Sequence, residues 1–392
     1  APTLLTMSLP INGTVWAAQA DYSNPIGKND KIDFGLKGSI VSNDNNDQYW
    51  NVINGISYVD TTKSNRFLYK ENIYAGYFNY YHKFSEKWEV QLGLRGEQTQ
   101  INGTQYVHDT TFTRSYFNLF PSAFVTWKLN DNNSFNFSYS RRIDRPDYEE
   151  LNPFIHFVDP YTYYTGNINL LPQYVDNFEI KYTYKTWLNA GLRYSYYSNI
   201  EVPVYTQIDS SHITYRKLDN IGFFNEGDFL VAVTIPVTSW FTTITSSDLY
   251  YNGYNGVVQG GAYTNNGYIW QPMTINTFRF KKGWSADVTF RYSSRNLNGP
   301  SVTEPFYVVE AGIRKQFGGG RATVSLNCSD IFWTNRQKTI YDFNGVNNTE
   351  IDYWDSRRIR ITLSWKLGKS QYQREEKKKA AAEELNRVKT GN

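Results

Sequence analysis

The feature that most constrains this chain is a period of two. Trp88, Val90, Leu92 and Leu94 alternate with Glu89, Gln91, Gly93 and Arg95, and Phe135, Phe137 and Tyr139 alternate with Asn136, Ser138 and Ser140. The pattern recurs from Phe178 to Tyr184, from Trp284 to Tyr292 and from Ile359 to Leu367. Successive side chains of a strand point to opposite faces, so each segment predicts a strand with one apolar and one polar face. In a soluble sandwich the apolar faces would meet one another. In a transmembrane barrel they would meet lipid while the polar faces line a wet lumen. Alternation by itself leaves both open.

The turns separate the two readings. Short connections fall at "SNPIGKNDK" (23–31), "HKFSEKW" (82–88), "KLNDNNS" (128–134), "YKTW" (184–187), "PVTSW" (236–240), "FKKGW" (280–284) and "FGGG" (317–320), with polar loops of about 10 to 30 residues expected between them. Short turns at one end and long loops at the other are the asymmetry of an outer-membrane barrel. Trp88, Trp127, Trp187, Trp240 and Trp284 each lie within a few residues of a short turn, and Trp365 lies at the matching end of the last strand. Indoles at one level predict a girdle at a lipid/water interface, whereas six tryptophans in a sandwich core would have no reason to gather at one end. The chain carries 33 Tyr, 24 Phe and 11 Trp but is only 40% hydrophobic, so a classical apolar interior is not expected. It also contains no apolar run of about 18 residues, which excludes a membrane-spanning helix and leaves strands as the way to cross.

Seven hairpins and a final strand near Arg357–Leu367 predict about 15 antiparallel strands over residues 1–368. Bacterial barrels close with even counts, so the odd number predicts that strands precede Ile11. About seven more would make 22, the size that encloses a plugged lumen. The start, "APTLLTMSLP", lacks the charged and apolar regions of a signal peptide and reads as the beginning of a mature piece or fragment. The remaining residues, 369–392, are a different material. Seven Lys/Arg against four Glu give this tail +3, while residues 1–368 hold 33 of each sign. A periplasmic extension, disordered or forming a short helix, is expected, with docking to a partner or to anionic headgroups as the alternative.

Several segments carry a family likeness: "FPSAFVTWKL", "SYSRRIDRPDYEELNPF", "DPYTYYTGNINLLPQY", "FEIKYTYK", "GLRGE" (93–97) and "SLNCSDIF" (325–332). In order and spacing, residues 10–368 resemble the barrel of TonB-dependent outer-membrane receptors, nearest to the outer-membrane β-barrel family common in Bacteroidetes. The resemblance implies an all-β antiparallel barrel in the bacterial outer membrane. It further implies import of a scarce nutrient of siderophore-chelate, glycan, peptide or cobalamin class. In that family an inner-membrane TonB motor pulls on a plug, and neither a plug nor a motor-contacting box is visible in this sequence. A surface lipoprotein over the loops would be a further partner. The alternative is a non-energised channel or adhesin.

Arg141, Arg142 and Arg145, with Asp144, Asp147, Glu149 and Glu150, suit an anionic or chelate ligand, or else an intra-loop salt-bridge network stiffened by Pro146, Pro153, Pro160 and Pro172. Tyr161, Tyr163 and Tyr164 beside Asp159 would stack on a flat or sugar-like ligand, or else pack loop against loop. Polar-face Glu89, Arg95, Glu179, Lys181, Arg193, Asp287, Arg291, Glu310 and Arg314 mix both signs and predict cross-strand pairs in a wet wall. The single Cys328 allows no internal disulfide. His82, His108, His156 and His212 lack ligand spacing, so neither metal nor cofactor is expected. An enzyme is not expected. His156 near Asp159, or His212 near Asp209 and Ser211, are the arrangements that would have to assemble for catalysis. No phosphate loop or nucleic-acid motif stands out.

Overall fold

A computed structural model describes residues 4–61, 63–106, 109–159, 161–208, 210, 213–343, 345–367 and 381–387. Its main feature is a 17-stranded antiparallel sheet. Two short members, Leu4–Ser8 and Ile56–Val59, pair only with the far end of Asp30–Ile53. The other fifteen form a continuous wall in chain order, matching the expected count. They are Ile11–Ile26, Asp30–Ile53, Asn65–Lys83, Trp88–Gln105, Thr110–Asn130, Asn133–Asp144, Gln173–Tyr184, Leu188–Ser198, Gly222–Pro236, Phe241–Val258, Gly261–Arg279, Trp284–Ser293, Phe306–Phe317, Ala322–Ser329 and Arg358–Trp365.

Seven short turns lie at the positions expected from the sequence, the first between Ile26 and Asp30 and the last between Phe317 and Ala322. The outer end differs from expectation. Three connections expected as polar loops are continuations of the strands, so that Asp30–Ile53 is 24 residues long and takes in "SNDNNDQYW". At their tips, Asn54 and Gly55 have φ of 51° and 80°, and Gln259 and Gly260 have 50° and 79°. Positive φ at both central residues is the twist that lets a two-residue turn join antiparallel strands. Beyond the membrane neither face of a strand needs to be apolar. The period of two fades there, and a sequence reading takes the segment for a loop.

The apolar face forms rows across neighbouring strands. Trp88 pairs with Trp127, Trp127 with Phe135, and Phe135 with Tyr182. Their rings follow at 5.2, 5.4 and 4.9 Å. Trp187, Trp240, Trp284 and Trp365 occupy the same end of their own hairpins, all half-buried or exposed. These tryptophans therefore lie at one end of the wall, beside the short turns. A second level, which the sequence reading did not single out, holds exposed Trp16, Tyr251, Tyr268 and Trp270. Ten positions separate Trp270 from Phe280 along the chain, the length with which a tilted strand crosses a bilayer.

The wall has two edges. Among the described residues, Ile11–Ile26 pairs only with Asp30–Ile53, and Arg358–Trp365 only with Ala322–Ser329. Every residue of Arg358–Trp365 is exposed. A sheet edge in hydrocarbon leaves peptide groups without hydrogen bonds at several kcal/mol each, roughly, so both edges would have to be paired for this wall to stand in a membrane.

Candidate ligand site at the barrel mouth

The stretch "SYSRRIDRPDYEELNPF" ends its strand at Asp144, and its three arginines go three ways. Arg141 stays on the outer face, 3.3 Å from Asp176 on the adjacent strand Gln173–Tyr184, where Asp176 also accepts the Tyr139 hydroxyl at 2.8 Å. Arg142 alternates to the inner face and is exposed. Arg145 is buried, donating to Glu97 at 2.6 Å and to Thr99 at 2.9 Å. Glu97 belongs to "GLRGE" and also accepts Arg95 Nε at 2.5 Å. These partners correct the expectation of an intra-loop network, because Arg141 and Arg145 are tied to the wall. A guanidinium on a flexible stem reaches farther than the loop itself, and a strand supplies carboxylates at fixed positions.

After Arg145 the chain bends inward through the one-turn helix Tyr148–Leu151. Tyr148, Leu151 and Leu170 bury themselves against the inward-facing Phe67, Tyr69 and Ile101. Arg114 donates to the carbonyls of Ile168 and Leu170. Gly166 N–H donates to the Asn152 carbonyl at 3.0 Å, and a Cβ at Gly166 would stand 2.2 Å from that oxygen, so only glycine fits. The loop is thus folded into the barrel and fastened at both ends.

Above it lies a four-stranded sheet of Ile155–Asp159, Thr162–Thr165, Ile213–Asn220 and Glu201–Ile208. It brings together residues that the sequence placed far apart. Tyr163 packs beside Tyr215 at 5.4 Å, and the Arg216 guanidinium lies 5.1 Å above the Tyr164 ring. Tyr205 packs on Tyr341 at 4.9 Å and donates to Glu350 at 3.4 Å. Tyr161 is 60% exposed, and Asp159 stands opposite Thr162 in the ladder. Burial pushes the Tyr205 phenol up to about 12 against the opposing pull of Arg216, so it remains a proton donor near neutrality. Glu201, at the base of this sheet, is pushed up to about 8 by burial and by the charges of Asp144, Glu150 and Asp147.

As successive strand residues, Tyr163 and Tyr164 point to opposite faces of this small sheet, Tyr163 with Tyr215 and Tyr164 with Arg216, and Arg141, Arg142 and Arg145 belong to neither group. Arg216, Tyr205, Tyr215 and Glu350 were missed by the sequence reading, and the run "ITYRKLDN" (213–220) was the one signal that pointed to them. Chemically, the face that carries Tyr164 and Arg216 offers a ring and a guanidinium to a flat or anionic group. His108, His212, Asp209, Ser211 and Pro160 lie outside the described residues. His156 packs edge-on against Phe154 at 5.2 Å, and burial lowers its pKa.

The polar face bears the expected mixed pairs. Arg193 lies 2.9 Å from Glu226 and 3.0 Å from Asp228, Arg291 2.8 Å from Glu310, and Lys128 3.1 Å from Glu89. The helix Ala382–Arg387, from the tail expected at the periplasmic face, lies against this inner face near Lys37 and Glu71.

The fold has solved counterparts. The copper transporter OprC is similar with a TM-score of 0.66 at 11% identity over 88% of this chain and 56% of its own. The ferric yersiniabactin uptake receptor FyuA from Yersinia pestis gives 0.61 at 12% over 92% and 54%. The siderophore receptor PiuA from Acinetobacter baumannii gives 0.62 at 12% over 91% and 56%. The chain thus spans little more than half the length of these structures. No curated protein sequence matches it significantly. Residues 3–365 match the profile described as "Outer membrane protein beta-barrel family". With girdles, inward charge pairs and a folded mouth on the wall that this profile covers, the chain is a member of the outer membrane protein beta-barrel family, and its place is the bacterial outer membrane.

Proposed function

We propose that this chain is the barrel wall of an energised outer-membrane importer, driven by a TonB motor through a plug carried elsewhere in the protein. Its cargo would be a small metal chelate. The observation that carries this reading is the mouth. The two ends of the segment after Arg145 pack on the inner wall, and its strand Thr162–Thr165 joins a small sheet on one face of which Tyr164 and Arg216 lie together, a surface suited to a ligand. A passive pore would keep its lumen clear. An aromatic and cationic cluster suits the flat, anionic periphery of a chelate. Of the structures of like fold, the ferric yersiniabactin uptake receptor and the siderophore receptor are named for chelates, which supports this cargo class, and the third is named for copper. The role of the chain is transport rather than catalysis.

The test is uptake of labelled ferric siderophores and of copper by cells with and without the whole protein, before and after a protonophore. Uptake that requires both the protein and the proton gradient is expected. With the favoured cargo, Arg216→Ala and Tyr164→Ala should each weaken binding by about tenfold. Uptake that survives the protonophore would make this a non-energised channel.

A further inference from the structure

The inner wall holds a set of charges that one segment of this chain satisfies. Lys37 pairs across the ladder with Ala75, and Ala75 with Glu97, forming one inward row. The next row is Ser39, Ile73 and Thr99, and the one after it Val41, Glu71 and Ile101. Against these rows lies the helix Ala382–Arg387. Arg387 donates to both oxygens of Glu71, one at 2.9 Å, and Tyr69 completes that carboxylate with a hydroxyl at 2.8 Å. Glu384 forms an ion pair with Lys37 at 2.8 Å. Glu383 stands 3.7 Å from Lys37 and 3.8 Å from Arg145.

The match is one of spacing as well as charge. Glu383, Glu384 and Arg387 stand at i, i+1 and i+4, so the acids and the base share one side of a helix. The wall offers its lysine and its carboxylate two rows apart, with Ser39 at 1% exposure, Ile73 at 4% and Thr99 at 0% lying between. A lumen wall facing water would expose that middle row. With the helix in place Glu71 is 1% exposed, and Arg387 is the cation that hydrogen-bonds it there. Reach is no obstacle, since the 14 steps from Leu367 to Ala381 extend to roughly 50 Å, against an apolar band of about 25 Å.

We infer that residues 381–387 are a tethered occupant of the barrel. They fold back after the last strand and dock on the inner faces of Asp30–Ile53, Asn65–Lys83 and Trp88–Gln105 through Glu71, Lys37 and Arg145. This inference does not depend on the cargo; a plug filling the same lumen would compete for Glu71 and Lys37, and a crosslink from position 39 distinguishes the two.

The test uses the whole protein in outer membranes with Cys328→Ser. Ser39→Cys and Glu384→Cys, treated with a short bis-maleimide, are expected to give a crosslinked product whose peptides join these two positions. A Ser39→Cys thiol should become at least about tenfold faster to label when residues 381–392 are deleted. In parallel, and without cysteines, hydrogen exchange of residues 381–387 should show protection that Glu71→Arg abolishes and that Glu71→Arg with Arg387→Glu restores. Labelling unchanged by the deletion, or a crosslink from position 39 to another segment such as a plug, overturns the inference. Exchange of 381–387 at free-peptide rates in the unmutated protein does so as well, and this readout remains valid if the cysteine variants fail to assemble.

Discussion

Arg145 reaches across the strand Thr110–Asn130 to Glu97, closing a 2.6 Å ion pair in which the two side chains are 3% and 8% exposed. The contact joins the two most recognisable motifs of the chain, "SYSRRIDRPDYEELNPF" and "GLRGE". It also explains how a proline-rich loop is held inside the barrel: the pair lies beside the point where the chain bends inward to Tyr148 and Leu151.

Removing Arg145 should therefore be costly. A buried carboxylate that loses its cation typically costs about 3–5 kcal/mol, and the low end is expected here because Arg95 still faces Glu97. Arg145→Ala should lower unfolding stability in detergent by about 3 kcal/mol, and Arg145→Met with Glu97→Leu should recover most of it. Additive losses in that double-mutant cycle would show that the pair is not the anchor.

The two faces of one strand should answer differently to the same charge. Leu92 is on the lipid side and 52% exposed, and Gln91 is on the lumen side. Leu92→Arg should cost about 2–4 kcal/mol of folding into lipid vesicles, and Gln91→Arg less than about 1 kcal/mol. Equal effects would mean that the faces have been assigned wrongly.

Glu201 makes the mouth sensitive to pH. Its folded-state pKa of about 8 stands above the ordinary glutamate value of 4.5. Its stabilising effect is thus complete below 4.5 and is lost as the pH rises through about 8. The hairpin Glu201–Ile208 and Ile213–Asn220 should open more readily above that point, and Glu201→Gln should flatten the dependence. Hydrogen exchange of the hairpin, corrected for intrinsic rates, checks this. A slope that persists in the glutamine variant would assign the effect to another group.

Much of the wall was legible because its causes are local. A strand against lipid must alternate, and a tight turn of a few residues needs one at positive φ, which Gly27, Lys185 and Lys282 supply. Trp88 and Trp127 announce the girdle from their distance to a turn alone. The mouth was legible only as a collection of types. Tyr163 and Tyr164 stand out in "DPYTYYTGN", but nothing near them in sequence points to Arg216, some fifty positions on, because a parallel ladder between Thr162–Thr165 and Ile213–Asn220 makes them neighbours. The strands above the membrane were read as loops for the converse reason: with water on both sides, the alternation that identifies a strand is not required.

By itself, then, the sequence determined the fifteen strands of the wall, the face on which each is apolar and the end at which the turn tryptophans gather, since period and turn chemistry act over a few residues at a time. Only the tertiary structure decided that Arg145 belongs to Glu97, that the loop after it folds inward, that Arg216 covers Tyr164 and that Arg387 meets Glu71. Those pairs lie from 48 to 316 positions apart. No periodic rule reaches that far, and it is the pairing of distant strands and the packing of loop and tail on the inner wall that bring them within hydrogen-bonding distance or ring contact.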